Sequence, residues 1–366
     1  MRKDKMKVIH ENIELHNTVE LEEVAGGGVH LRRIPRAVRD CLSPLGRMVS
    51  QDSAGCELRF VTEAESFRVS VSSLPSCLAP WEVHNQDVFV FKGAFFHSHA
   101  RLEPGKVNYL NFSDIGGGVK NAFLTLQPGV RDTDYFSHNV WRILFGRYPA
   151  ILHEVDTYGY PVRPPTPEEL PKKRILFYGS SITNGASPSL YHLCYVQQTA
   201  RHLKADALNL GLSGACHCEK EMADYLARRE DWDMISLELG VNMRMGFTPG
   251  EFHARSRYLI EQVIARHPHK PVFLITIFPN GQSPQNALEA GDIQRNQESF
   301  CQILHDTVEE LRHPQLHLLE GRDILTDYAG ITTDLIHPGD YGHSEMGLNL
   351  AAAIKENSAL SNPKRL

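Results

Sequence analysis

Between residues 55 and 73 the chain reads GCELRFVTEAESFRVSVSS, with Leu58, Phe60, Phe67, Val69 and Val71 separated by polar residues. A period of two belongs to strands whose successive side chains point to opposite faces, so two half-buried strands are predicted. DVFVFKGAFFHSHARL, KVNYLNF, NAFLTLQPG and FSHNVWRILFG continue the pattern, with Gly, Pro, Asn and Asp at the breaks. Many short strands separated by turn residues predict a β-sandwich of jelly-roll type over residues 1–160.

The pattern then changes twice. GYPVRPPTPEELPKKR holds five prolines between Pro161 and Pro171. Proline fixes φ and lacks an N–H, so residues 161–172 read as a stiff linker. A stiff linker favours fixed docking of the first domain, which is then expected to help shape the substrate site. From residue 173 to 366, apolar runs alternate with helical segments: RILFYG, ALNLGLSG, MISLELGVN, PVFLITIFP and LHLLEG. In TPGEFHARSRYLIEQVIARH, Thr248 can cap, Pro249 suits the first helical position and Glu251 completes a capping box. Phe252, Leu259, Ile260 and Val263 then line one face. Strands alternating with helices predict an α/β domain with a parallel sheet covered on both sides. Ligands bind such sheets beyond the carboxyl ends of the strands.

Composition narrows the class. The 366 residues exceed one ordinary core, and 42% hydrophobic with 22% charged residues is globular usage. A net charge of −6 and no dense Lys/Arg stripe argue against a nucleic-acid partner. No apolar run approaches the ~18–20 residues that span a bilayer, so no membrane partner is expected. The N-terminal MRKDKMKVIHENIELHN has charges but no apolar core behind them, and no secretory signal is expected there. Seven irregularly spaced cysteines fit reduced thiols, and with them a cytoplasmic location.

The strand ends carry the candidate chemistry. Gly179-Ser180-Ser181 closes the first apolar run, NLGLSGAC the second, with Gly214, and LELGVNM the third, with Asn242. Near the C-terminus, TTDLIHPGDYGH places Asp334 three residues ahead of His337. A serine at a helix start is ordinarily an N-cap. The other residues change that reading, because acyl transfer needs a nucleophile, a base, a group orienting the base and donors for an oxyanion. Ser181 can attack, His337 can take its proton, and Asp334 can hold the imidazole. The N–H groups of Ser181 and Gly214 and the amide of Asn242 can form the oxyanion hole.

In identity, order and strand-end context, Ser181, Gly214, Asn242, Asp334 and His337 resemble the defining residues of the SGNH or GDSL hydrolases over about residues 172–358. The resemblance implies a flavodoxin-like three-layer α/β/α catalytic domain and serine-esterase chemistry (a carboxylic ester hydrolase) through an acyl-enzyme. A β-sandwich preceding such a domain resembles carbohydrate esterase family two and GDSL-like acyltransferases acting on polyketide scaffolds. Two positions depart from the family pattern: Ser180 replaces the aspartate usual before the nucleophile, and Met243 an aspartate often found after the asparagine. The expected substrate is a small-molecule or oligosaccharide ester with a short acyl group, acetyl on a sugar being the best fit. Transfer to an acceptor alcohol is the alternative within the same chemistry, and an inactive sugar-binding protein the alternative of another class. No metal or organic cofactor is implied, and a homo-oligomer stays open.

Four further features have ordinary explanations. Cys216-His217-Cys218 lacks the second ligand pair that a zinc site usually needs, and reads as packing near the pocket wall. His97 and His99 share a strand face and read as surface residues. Glu238 in ISLELGVN is a carboxylate in a buried strand, expected to support the Asn242 loop or to form an ion pair. His343 on the last helix reads as structural.

Overall fold

The computed structural model describes residues 7–74, 86–116, 119–120, 125–127, 135–283 and 291–360. The chain forms two compact units, one of Met1–Arg36, Ser50–Lys173 and Lys204–Asp206, the other of Ala37–Val49, Arg174–Leu203 and Ala207–Leu366.

The first unit is an antiparallel β-sandwich. One sheet runs, in spatial order, Val8–His10, Ile13–His16, Glu57–Thr62, Trp141–Phe145, Asp87–Lys92 and Phe95–Arg101. The other runs Glu20–Glu23, Val29–Arg32, Ala150–Asp156, Ser66–Ser73 and Val107–Ser113. Leu58, Phe60, Phe67, Val69 and Val71, the alternating residues of the sequence, all enter one core with Val88, Val90, Trp141, Ile143 and Phe145. The pattern misleads in one respect. Glu57 and Arg59, between the apolar positions, are also buried, at 2% and 0% exposure, because they pair as ions. The run NAFLTLQPG lies mostly outside the described residues. Within the proline-rich stretch, Val162–Arg163 pairs with Glu57–Thr62, and Pro167–Glu169 forms a 3-10 turn capped by Thr166 and Glu169.

The second unit is an α/β/α fold. Its strands are β1 (Arg174–Tyr178), β2 (Asp206–Asn209), β3 (Met234–Glu238), β4 (Val272–Ile275) and β5 (Leu316–Leu319), in the order β2-β1-β3-β4-β5. That is the flavodoxin-like order. The pairs β1/β3, β3/β4 and β4/β5 are parallel. Strands covered on both faces read as continuous apolar runs, and Ile175, Leu176, Phe177 and Tyr178 are all buried. Among its helices are α1 (Ser181–Asn184), α2 (Tyr195–Leu203), α3 (Lys220–Arg228), α4 (Pro249–Arg266), α5 (Asp292–Leu311) and α6 (Asp340–Leu360). Helix α2 packs on α6, α3 on α4, and α4 on α5. The capping box at α4 is present: the Thr248 hydroxyl accepts from Glu251 N, and Glu251 accepts from Thr248 N. Among the described residues, no helix is long and apolar enough to cross a membrane.

Candidate active site

Strand β1 ends at Tyr178, and Gly179 and Ser180 lead directly into α1. The two serines divide the two roles that a hydroxyl can take there. Ser180, with extended backbone, is the N-cap, and its Oγ accepts from Ile182 N at 3.1 Å. Ser181 is the first helical residue, and its Oγ–H donates to His337 Nε2 at 2.7 Å. Gly185 closes the short helix with φ of 96°, its N–H donating to Ser181 O and Ile182 O. The hydroxyl thus stands on a one-turn helix anchored at both ends.

The histidine comes from an irregular loop between β5 and α6. Asp334 Oδ1 accepts the backbone N–H groups of Ile336 and His337, both at 2.9 Å, and Oδ2 accepts from His337 Nδ1–H at 2.6 Å. Burial alone would raise the Asp334 pKa, but these donors outweigh it and hold the carboxyl at about 2. Asp334 is therefore an anion throughout the neutral range, and it keeps the proton on Nδ1. The Nε2 lone pair is left to face Ser181. Leu335, between them, has φ of 59°, a left-handed conformation that costs a leucine energy. Its carbonyl accepts from Gly281 N at 2.7 Å, and its N–H donates to Thr332 O at 3.0 Å, so the loop is held on two sides.

The loop after β2 is tied to the nucleophile turn. Leu212 N donates to Gly179 O, Asn209 Nδ2 to Thr183 O, and Ser213 Oγ to Asn184 Oδ1. Gly214 has φ of 67°, which only glycine adopts without strain. Asn242 Oδ1 accepts from Cys216 N at 3.2 Å, so the side-chain oxygen is engaged and the amide nitrogen is its donor group. The structure thus joins Ser181, His337 and Asp334 through hydrogen bonds, and places Gly214 and Asn242 on neighbouring strand-end loops linked through Cys216.

Other expectations resolve differently. Glu238, buried to 1% exposure, forms no ion pair among the described residues; its carboxyl accepts from Ser180 N and Thr183 Oγ1. His343 is fully buried and structural, joining Ala186 O to Tyr195 N. His97 is exposed, bonded to Ser98 and Ser113 of its own sandwich. The six described cysteines are free thiols, and no group of three or more His, Cys, Asp or Glu among the described residues is placed to hold a metal. One residue carried no signal in the sequence. Leu45, on the helix Pro44–Val49, brings Cδ2 to 3.0 Å from where a Cβ on Gly214 would lie, and is 38% exposed.

A serine, a histidine and an aspartate thus stand in hydrogen-bonded series at the carboxyl edge of a flavodoxin-like sheet. The chain belongs to the GDSL-like Lipase/Acylhydrolase family, whose pattern it matches over residues 172–355. No curated protein sequence matches it. Among solved structures it is similar to the salicylyl-acyltransferase SsfX3 from a tetracycline biosynthetic pathway, at 17% identity and TM-score 0.77, covering 98% of this chain and 97% of that one. It is also similar to a GDSL-like lipase from Bacteroides ovatus, at 20% identity, TM-score 0.67 and coverage of 90% and 92%. A family two carbohydrate esterase from Cellvibrio japonicus matches at 12% identity, TM-score 0.60 and coverage of 96% and 97%. At these identities the likenesses establish the fold.

Proposed function

We propose that the protein is a serine esterase that removes a short acyl group, best an acetyl, from an alcohol such as a sugar hydroxyl. The observation that carries this reading is the continuous series Ser181 Oγ–H to His337 Nε2 and His337 Nδ1–H to Asp334 Oδ2, at 2.7 and 2.6 Å. Such a series makes a serine nucleophilic, and a purely binding protein has no use for it.

In the proposed reaction Ser181 Oγ attacks the ester carbonyl carbon while its proton passes to His337 Nε2. The negative charge forming on the carbonyl oxygen meets the N–H groups of Ser181 and Gly214 and the amide of Asn242. Ser181 N–H is available because the first N–H groups of a helix have no partner within it. Collapse breaks the bond to the alcohol oxygen, which takes the proton back from His337. Water, deprotonated by the same imidazole, then attacks the acyl-enzyme and releases the acid. Asp334 stays ionised and supports the imidazolium at each step.

A second reading, transfer of the acyl group to an acceptor alcohol, differs only in what replaces water. It is favoured by the fold likeness to an acyltransferase over nearly the whole chain. Hydrolysis of p-nitrophenyl esters from acetyl to octanoyl, with and without acceptor sugars, separates the two. Acid release fastest with acetyl and indifferent to acceptor supports the esterase. Ester product that accumulates at the expense of acid supports transfer.

A further inference from the structure

The departure at position 180 leaves the nucleophile turn without the carboxylate that its sequence pattern would ordinarily supply, and a carboxyl group arrives from another strand. Glu238 is the last residue of β3, 58 positions away, and its Oε2 accepts from Ser180 N at 2.7 Å. The same oxygen accepts from Thr183 Oγ1–H at 3.1 Å, one residue pair on either side of Ser181 being thereby held. Thr183 Oγ1 in turn accepts from Tyr195 O–H at 2.7 Å, so the network runs back into α2. A Cβ on Gly179 would lie 2.2 Å from Thr183 Oγ1 and 2.6 Å from Glu238 Oε2, so only glycine leaves space for these bonds.

We propose that Glu238 is a positioning residue of the active site: by holding Ser180 N–H and the Thr183 hydroxyl it fixes the one-turn helix that aims Ser181 Oγ at His337. The inference rests on the esterase reading of Ser181 above. Glu238 does not touch substrate and acts only through the turn.

Its protonation state follows from its surroundings. Oε1 is buried and has no hydrogen-bond partner among the described residues. The ionisable groups that face Glu238 are the Tyr195 phenol and the Cys216 thiol, both kept neutral because burial, with Glu238 nearby, pushes them up. Among the described residues no cation offsets a negative charge there. Burial outweighs the hydrogen bonds from Ser180 and Thr183 and pushes the carboxyl up to about 7. Below about pH 7 the carboxyl is the neutral acid, and Oε2 accepts both bonds that hold the turn. Ionisation, which these donors favour, places an unpaired charge inside the sheet, and burial holds it off until about pH 7.

The test uses the full chain and compares wild type with Glu238→Ala and Glu238→Gln, measuring kcat and KM on p-nitrophenyl acetate from pH 5.5 to 9. The rate of Ser181 modification by a fluorophosphonate is measured in parallel. Glu238→Ala is expected to lose ten-fold or more in kcat and in modification rate, with KM within three-fold. Glu238→Gln keeps an acceptor for both donors and never ionises. It is expected to recover most of the kcat and of the modification rate that Glu238→Ala loses, across the whole pH range. If Glu238→Ala fails to fold, Thr183→Val, which removes one of the two donors, takes its place, and is expected to lower kcat and the modification rate with KM within three-fold; a Thr183→Val enzyme as fast as wild type overturns the positioning role. A Glu238→Ala enzyme as fast as wild type, or a Glu238→Gln enzyme as slow as Glu238→Ala, overturns the positioning role and leaves the esterase reading intact. A wild type inert to both esters and fluorophosphonate overturns the reading of Ser181, and this inference with it.

Discussion

Glu57 in the sandwich unit and Glu238 in the hydrolase unit are both sealed from water, at 2% and 1% exposure, yet their surroundings drive them in opposite directions. Burial would raise both. Around Glu57 the guanidinium groups overcome it: Arg142 Nη2 donates to Oε1 at 2.6 Å, and Arg59 Nε donates to Oε2 at 2.7 Å. Arg142, then Arg59, pull the carboxyl down to about 2. Glu238 meets only an amide and hydroxyls, and burial prevails at about 7. The difference teaches that burial alone does not mark a functional carboxyl. A charge locked between cations holds a fold together and cannot change state near neutrality. A charge held by neutral donors can, and this one sits against the nucleophile turn.

The comparison is sharpened first at the nucleophile. Ser181→Ala and His337→Ala remove the bond-making and proton-transfer groups, and each is expected to lower kcat by roughly 10⁴–10⁶ with the fold retained. A Ser181→Ala protein free of wild type that turns over at the original rate would contradict the site. Asp334→Asn should do less, because it removes only the orienting anion: it is expected to stay roughly ten-fold or more faster than His337→Ala. Equal loss in the two variants would make the triad indivisible.

Glu57→Ala breaks the comparison from the other side. It leaves the guanidinium groups of Arg59 and Arg142 buried without that partner, and stability should fall by about 3–5 kcal/mol in urea unfolding. A loss below ~1 kcal/mol would mean that the pair behaves like an exposed one. The smallest effect is the linkage at Glu238. A carboxyl raised from 4.5 to about 7 binds its proton more tightly in the folded state, so its stabilisation is complete below pH 4.5 and is lost as pH rises through about 7. Relative to wild type, Glu238→Gln should therefore gain stability from pH 5 to pH 8, on the order of 2–3 kcal/mol. Parallel melting curves across that range would show Glu238 to be as locked as Glu57.

Much of this was legible in the sequence, and the exceptions have physical causes. The five strands of the α/β sheet and the α4 cap follow from local patterns, and Ser181, Asp334 and His337 stand out by strand-end position and spacing. The alternation around Leu58 and Phe60 predicted a polar face in water, whereas ion pairing lets Glu57 and Arg59 be buried there. The strands Val8–His10 and Val29–Arg32 are too short for a period of two to register. Glu238 was visible as an anomaly, but its partners lie 55 and 58 residues away, and no local pattern encodes them. The same holds for Leu45, which meets Gly214 from the distant segment Ala37–Val49. The left-handed Leu335 is invisible for a different reason: nothing about a leucine announces positive φ.

The central claim is that Ser181 carries the acyl group. Wild type mixed with p-nitrophenyl acetate, quenched in acid within one turnover and mapped by peptide mass spectrometry, measures this directly. The account predicts one acetyl group per chain, on the peptide containing Ser181, and none there in Ser181→Ala. Turnover with the acetyl group on another residue, or with no acylated peptide at all, would contradict it.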